Sequence, residues 1–235
     1  MHKIIVANYK MNGNLKFYKT VAKKLNNIRN RDTKIILCPP FVYLPNLKIK
    51  NKHVDLGSQN IAICENGKST GQISAKMLKE FNVRYSIIGH SERRALGETD
   101  EIVAQKTINA KNNNITPIVC VGELKKNSKL DNVVMQVESI LKVLNKDDSI
   151  IFAYEPVWAI GTGDTPTIQR VKKVVSAVKN KIVEYGITPI CLYGGSVGVD
   201  NYKELNNANI DGFLIGSTSL NIENFIEIIK GVDNE

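Results

Sequence analysis

A carboxylate beside an apolar segment that ends in glycines is the part of this sequence best suited to chemistry. Glu155 follows an apolar run, residues 150–154, which is typical of a buried strand, and Pro156 is not expected to continue a ladder. Glu155 is therefore expected at the carboxyl end of a strand. The next residues include the single Trp and end in Gly-Thr-Gly at 161–163, the composition of an apolar lid on a small-residue hinge. A base beside a lid indicates proton transfer shielded from water.

Taken alone, Glu155 also fits a solvated residue at a strand end, with Trp158 as a packing anchor. Two further segments favour chemistry. Lys10 follows the first apolar run, although a lysine there is by itself more often a solvated loop cation. His90 follows the fourth run, and Ser91 is expected to cap a short helix, which would leave His90 beside the positive end of that helix. A histidine in that position is expected to be neutral.

Small-residue turns lead into helices after the last two apolar runs. Residues 194–196 read Gly-Gly-Ser, and residues 216–219 read Gly-Ser-Thr-Ser. Backbone N–H groups at such turns, together with a helix dipole, can hold a phosphate. One such turn is weak evidence, but a pair after the last two strands of a barrel lies where phosphate sites of barrels form.

These residues need a scaffold in which many strands end at one place. Short apolar runs alternate with helix-like segments, and the runs are residues 4–7, 35–38, 54–57, 85–89, 115–121, 150–154, 190–193 and 212–215. The spacing of apolar residues from Val171 to Ile182 predicts one helix, which Gly186 is expected to stop. Buried strands joined by helices imply a parallel α/β sheet. Eight units match a closed, eight-stranded parallel (β/α)8 barrel. The pattern of strands and helices by itself also fits an open doubly wound sheet. The polar residues that recur at strand ends favour the barrel.

Composition predicts one domain, residues 1–235, in the cytoplasm. The chain is 43% apolar and no Gly- or Ser-rich linker divides it. No apolar stretch approaches the roughly 20 residues of a membrane helix, and the first run reaches polar Asn8 too early for a signal peptide. Neither a membrane anchor nor export is expected. The four cysteines are far apart, without a CxxC pair, so we expect reduced thiols and no metal site.

Charge alone does not choose a partner. The chain has 32 Lys and Arg against 23 Asp and Glu, a net charge of +9. Such a balance permits an acidic partner or the steering of a phosphorylated substrate. The lysines are scattered through helical segments, without the dense basic block or interleaved aromatics of a nucleic-acid surface, so nucleic acid is not an expected partner.

Five segments in order resemble the triosephosphate isomerase family, over essentially the whole chain. They are NYKMNG at 8–13, IGHSERR at 88–94, AYEPVWAIGTG at 153–163, YGGS at 193–196 and GFLIGSTSL at 212–220. The third segment is highly specific. The resemblance implies interconversion of dihydroxyacetone phosphate and glyceraldehyde 3-phosphate in glycolysis and gluconeogenesis, with a small phosphorylated triose as substrate and with neither cofactor nor metal.

The resemblance also implies residue roles. Glu155 is the base that moves a proton between two carbons and His90 the group that polarises the carbonyl, an acid–base pair for which this family is the standard example. Lys10 and Asn8 are further catalytic donors that contact the substrate, and Glu92 supports Lys10 by pairing with it. The residues that match phosphate-holding positions are Gly161, Ser196, Gly216 and Ser217. Thr70 matches the residue of a protruding loop that reaches a neighbouring subunit, which implies a homodimer. Cys120 matches a family cysteine expected to act in packing.

Three departures from the family pattern leave the reacting groups in place. Tyr9 stands where Trp is usual, and Ser217 stands where a second glycine is usual, so Ser217 would be strained if its turn needs a positive φ. Residues 123–131 look shortened and lack an arginine, which puts the local helix in doubt. Two other functions compete. A different phosphate-binding barrel enzyme would lack the Glu155, His90 and Lys10 trio, and a non-catalytic basic binding protein rests on charge alone.

Overall fold

Eight parallel strands form a closed barrel in the computed structural model, which describes residues 3–29, 32–126, 128–160 and 165–233. The strands are β1 Ile4–Asn8, β2 Lys34–Cys38, β3 Val54–Ser58, β4 Val83–Ile88, β5 Thr116–Glu123, β6 Ile151–Pro156, β7 Cys191–Tyr193 and β8 Gly212–Ile215. They follow one another around the barrel in chain order, and β8 pairs with β1. This closing pair confirms the (β/α)8 barrel, because an open sheet would leave both strands as edges.

Helices alternate with the strands and pack on the outside of the barrel. They are α1 Leu15–Asn26, α2 Ala75–Glu80, α3 Ser91–Arg94, α4 Asp100–Asn112, α5 Leu130–Leu141, α6 Ile168–Glu184, α7 Tyr202–Asn206 and α8 Ile222–Asp233. Four of them begin after a residue whose side-chain oxygen accepts a first-turn N–H, namely Asn14, Ser74, Thr99 and Thr167. Such caps fix where each loop ends, and therefore where loop side chains lie over the barrel.

Side chains of the strands alternate between two apolar cores. The barrel interior holds Val6, Ile36, Cys38, Ile87, Ile118, Cys120, Ile151, Ala153, Leu192 and Leu214. The alternate strand residues point outward and pack against the apolar faces of the helices, among them the predicted face of α6 from Val171 to Ile182. Gly186 follows α6 with a φ of +73°, a left-handed conformation that ends a helix. The prediction for this helix is confirmed, and the filled interior forms a rigid floor below the strand ends.

Strand β6 extends further than expected. It includes Glu155 and Pro156, which pair with Gly122 and Glu123 of β5, so the prediction that the ladder stops before Pro156 is wrong. Proline is tolerated because it is the last residue of the strand, where the ladder ends and the missing N–H breaks no later hydrogen bond. Glu155 still lies at the carboxyl end of the strand. In residues 123–131, β5 ends at Glu123 and α5 begins at Leu130, and the described residues between them add no helix.

All four cysteines have free thiols. Within the described ranges, no helix combines the length and apolarity needed to cross a membrane. Those same ranges contain no group of three His, Cys, Asp or Glu side chains placed to hold a metal ion.

Candidate active site

A cavity of about 660 Å³ opens at the carboxyl ends of the strands. Its lining includes most of the site residues predicted from sequence, namely Asn8, Lys10, His90, Glu155, Ser196, Gly216 and Ser217. These residues come from the ends of β1, β4, β6, β7 and β8, so the barrel brings together groups that are distant in sequence. Glu92 contacts Lys10 beside the cavity, and the exposed Thr70 is not part of the lining. Gly161 lies outside the described residues.

Glu155 is a buried carboxylate with one oxygen committed and one unpaired. Its side chain is 3% exposed. Oε2 accepts a hydrogen bond of 2.8 Å from the Ser91 backbone N–H. Oε1 lies 3.0 Å from His90 Nε2, but the geometry is not that of a hydrogen bond, and this oxygen has no other partner within the described part of the chain. A buried acceptor without a partner is costly, so its lone pairs are available to a substrate proton.

His90 is itself the N-cap of α3, a role that the sequence assigned to Ser91. Its Nδ1 accepts the Glu92 backbone N–H at 3.2 Å. The prediction failed because His90 and Ser91 both carry a side-chain acceptor, and the local sequence does not show which of the two side chains turns toward the helix. With Nδ1 used as an acceptor, the tautomer assigned from this bond carries its proton on Nε2, which faces Glu155 and the cavity.

Lys10 is held in a left-handed backbone conformation, with a φ of +50°. The Asn8 Oδ1 accepts the Lys10 N–H at 3.1 Å, and the Gln59 amide donates to the Lys10 carbonyl at 2.8 Å. The Lys10 ammonium pairs with Glu92 Oε1 at 2.7 Å, so the expected pair is present. Sequence analysis gave Gln59 no role, although its place directly after β3 marks it as a residue at the mouth of the barrel.

The turns after β7 and β8 form the far side of the cavity. Gly194 lies against Glu155, because a Cβ there would come within 3.2 Å of the Glu155 Cγ. Gly216 caps a 3₁₀ helix, Ser217–Leu220, and a Cβ on Gly216 would lie 3.6 Å from Lys10 Cε. Ser217 does not have a positive φ, so the alternative of a strained serine is wrong. The first N–H groups of this helix are free of intrahelical partners and suit an anion.

Two neighbours of the base restrict the space around it. A Cβ on Gly122 would lie 1.9 Å from the Glu155 carbonyl oxygen, so β5 and β6 approach closely only because this residue is glycine. Cys120 lies buried beside Glu155, and burial, with the negative charge of Glu155, raises the pKa of its thiol well above the usual value. A thiol in that state is inert, in agreement with a packing role.

The described part of the expected lid begins with a 3₁₀ helix, Val157–Ala159. The Lys126 ammonium lies 5.2 Å from the centroid of the Trp158 ring. This contact joins the lid to the segment that follows β5. Residues 161–164, which include the Gly-Thr-Gly hinge, lie outside the described residues.

Comparisons with known proteins agree with this geometry. The family model of triosephosphate isomerase matches residues 3–232. A triosephosphate isomerase of Ruthia magnifica is 40% identical over 98% of this chain and 99% of its own length. That of Hahella chejuensis is 37% identical over 97% of this chain and 97% of its own length. That of a Picosynechococcus strain is 38% identical over 99% of this chain and 100% of its own length. With the barrel and the cavity described above, these matches show that the chain belongs to the triosephosphate isomerase family.

Proposed function

We propose that the cavity is the active site of this isomerase, with Glu155 as its base and His90 and Lys10 as its electrophiles. The chain interconverts dihydroxyacetone phosphate and glyceraldehyde 3-phosphate, as its family does in glycolysis and gluconeogenesis. One observation carries the assignment of roles, the unpaired, buried Oε1 of Glu155 beside His90 Nε2. A carboxylate desolvated in this way accepts a proton readily once a substrate carbon faces it.

One carboxyl group, that of Glu155, both removes and returns the carbon-bound proton. Glu155 takes a proton from the carbon next to the substrate carbonyl, and the electrons of that C–H bond form an enediolate. His90 Nε2–H and the Lys10 ammonium stabilise the negative oxygen, because donors already in place cost no reorganisation in a dry site. His90 Nε2 gives its proton to this oxygen and takes one from the neighbouring hydroxyl, so the negative charge moves to the second oxygen. Glu155 then returns the proton to the former carbonyl carbon, and the second oxygen becomes the new carbonyl. Since the Asn8 Oδ1 is occupied by the Lys10 N–H, its amide N–H₂ is the group left to donate to the substrate.

The substrate phosphate is expected at the other side of the cavity. Ser196, Gly216 and Ser217 line it there, and the N-terminal N–H groups of the 3₁₀ helix Ser217–Leu220 suit its charge. Gly161, from the lid, is proposed as a further contact on the basis of the family motif alone.

A coupled assay of glyceraldehyde 3-phosphate conversion, run in D₂O, tests both the reaction and the base. The wild type should turn over and place solvent deuterium next to the product carbonyl. Glu155→Gln keeps the side-chain size but removes the base, so turnover should fall by about 10²–10⁴-fold. Glu101→Gln, on the exposed first turn of α4, is the matched control and should behave as the wild type. A wild-type protein without turnover would favour a different phosphate enzyme or a binding protein.

We also propose that the protein is a homodimer. Large apolar side chains are exposed on the segments that follow β1 to β4, namely Met11 at 95%, Val42 at 72%, Ile63 at 51% and Leu96 at 76%. Such a set, on segments that leave the same end of the barrel, supports an interface between two copies. We further infer one domain over residues 1–235 and a cytoplasmic location, which the free thiols support.

A further inference from the structure

A single buried carboxylate touches both flanks of the lid. Glu123, the last residue of β5, has a side chain that is 0% exposed. Its Oε2 accepts the Tyr154 hydroxyl at 2.8 Å, and its Oε1 accepts a hydrogen bond from the Arg170 guanidinium. Tyr154 directly precedes Glu155, whereas Arg170 lies in the first turn of α6, the helix that follows the lid. The carboxylate therefore joins the strand before the lid to the helix after it.

Arg170 also stabilises the segment that departs from the family pattern. The Nη2 group that contacts Glu123 donates to the Ser128 carbonyl at 2.8 Å. Residues 123–131 contain no arginine of their own, so the guanidinium near Glu123 comes from a helix 47 residues further along the chain. Its backbone is fixed too, since the Arg170 N–H donates to the capping Thr167 Oγ1 at 3.2 Å.

Because Glu123 is charged and buried, the loss of Arg170 would change the position of the base, Glu155. A fully buried carboxylate that loses its cation is strongly unfavourable, so it must take up a proton, draw in water or move. Movement would be passed on directly, because Glu123 pairs with Pro156 and its neighbour Gly122 pairs with Glu155. Because β5 and β6 are in close contact at Gly122, the two strands cannot move closer together at this point.

We propose that Arg170 is a positioning residue for Glu155, acting as the counter-ion of Glu123 and thereby fixing Tyr154 and both flanks of the lid. The proposal rests on the role of Glu155 given above and extends it to a residue that does not line the cavity. Arg170 is assigned no contact with substrate, so its loss should lower turnover and leave substrate affinity nearly unchanged.

The test compares three variants. They are the single variant Arg170→Met, the double variant that combines Arg170→Met with Glu123→Gln, and a control on the same helix. Arg170→Met should lower kcat by about 10- to 100-fold, the effect of a small misplacement of a base, with KM changed by less than about threefold. The double variant should recover most of kcat, since the amide introduced by Glu123→Gln carries no charge, yet its oxygen still accepts the Tyr154 hydroxyl. Lys179→Met breaks another half-buried ion pair of α6, with Asp211, and should lower the melting temperature without changing kcat.

Two results would overturn the proposal. One is a kcat of folded Arg170→Met within about threefold of the wild type; the other is a double variant no faster than the single one. If Arg170→Met does not fold, Arg170→Lys decides, because a point charge cannot bond Glu123 and Ser128 together. A kcat lower by about threefold or more then supports the proposal, and an unchanged kcat refutes it. Absence of turnover in the wild type would instead remove the proposed function.

Discussion

Glu155 is oriented by a backbone N–H group, that of Ser91, and not by a charged side chain. The Ser91 N–H holds Oε2, which leaves Oε1 toward the cavity. This arrangement explains how a carboxylate can be both fixed in position and available. Its reach is then set by side-chain length.

Glu155→Asp should therefore be costly although it keeps the charge. Retracting the base by about 1 Å should lower kcat by on the order of 10²-fold with little change in KM. Steady-state rates in both directions measure this, with Glu101→Asp as the matched exposed control. If Glu155→Asp keeps kcat within about threefold of the wild type, Glu155 is not the base.

His90 should carry a ring proton on Nε2 and use Nδ1 as an acceptor. A proton on Nδ1 would remove the acceptor of the Glu92 N–H and place a cation at the positive end of α3. Nitrogen-15 NMR of the ring at the pH of the assay should show a proton on Nε2 and none on Nδ1. The partly exposed His53 provides an internal comparison. A proton on Nδ1 in that spectrum would refute this assignment.

Sequence reasoning placed Glu155, His90 and Lys10 at the ends of recognisable strands, and the resemblance to the family implied their roles. It did not predict the residues that position them. Arg170 appears in sequence as one more cation on the first turn of a helix, and Gln59 as an ordinary polar residue of a loop. Their partners are 47 and 49 residues away. Such contacts arise from barrel closure, so no local pattern could indicate them.

The sequence predicted all eight strands and missed mainly their ends. The β6 strand runs on to Pro156 because the partner β5 continues to Glu123 and keeps the ladder paired. Strand length is thus decided by the neighbour, which the sequence of one segment does not contain. The turn after β8 is a similar case, because Ser217 proved to begin a 3₁₀ helix with an ordinary φ.

Ser217 offers a test of backbone binding at that helix end. Proline is well tolerated at the first position of a helix but has no N–H. Ser217→Pro should weaken a phosphate-bearing inhibitor by about 1.5–3 kcal/mol, roughly 10- to 100-fold, as a hydrogen bond to a charged group is lost. Ser217→Gly, which keeps the N–H, should bind as the wild type does. Inhibition constants and melting temperatures of both variants measure the effect, and unchanged binding in Ser217→Pro would exclude this loop as the phosphate site.

Dimerisation is expected to depend on the loop of Thr70. Thr70 is exposed, and Gly71 follows it with a φ of +83°, a left-handed conformation that suits a turn. Thr70→Arg should weaken the dimer and lower activity together, as measured by sedimentation at assay concentration. Lys68→Arg, which changes neither charge nor exposure in the same loop, should leave both unchanged. A fully active monomer would refute the expected link.

Closure of the barrel by β1 and β8 makes the order of the chain cyclic. The Asp233 carboxylate accepts the Thr33 N–H at 2.9 Å, and the Lys34 N–H donates to the Lys3 carbonyl at 2.8 Å, so residues 3 and 233 flank the same pair of residues. A short linker could join them at the amino ends of the strands, away from the catalytic mouth. Opening the chain instead at Gly186, before β7, should give a circularly permuted enzyme with kcat within about threefold of the wild type. A permuted protein that folds but does not turn over would mean that activity depends on where the chain is cut.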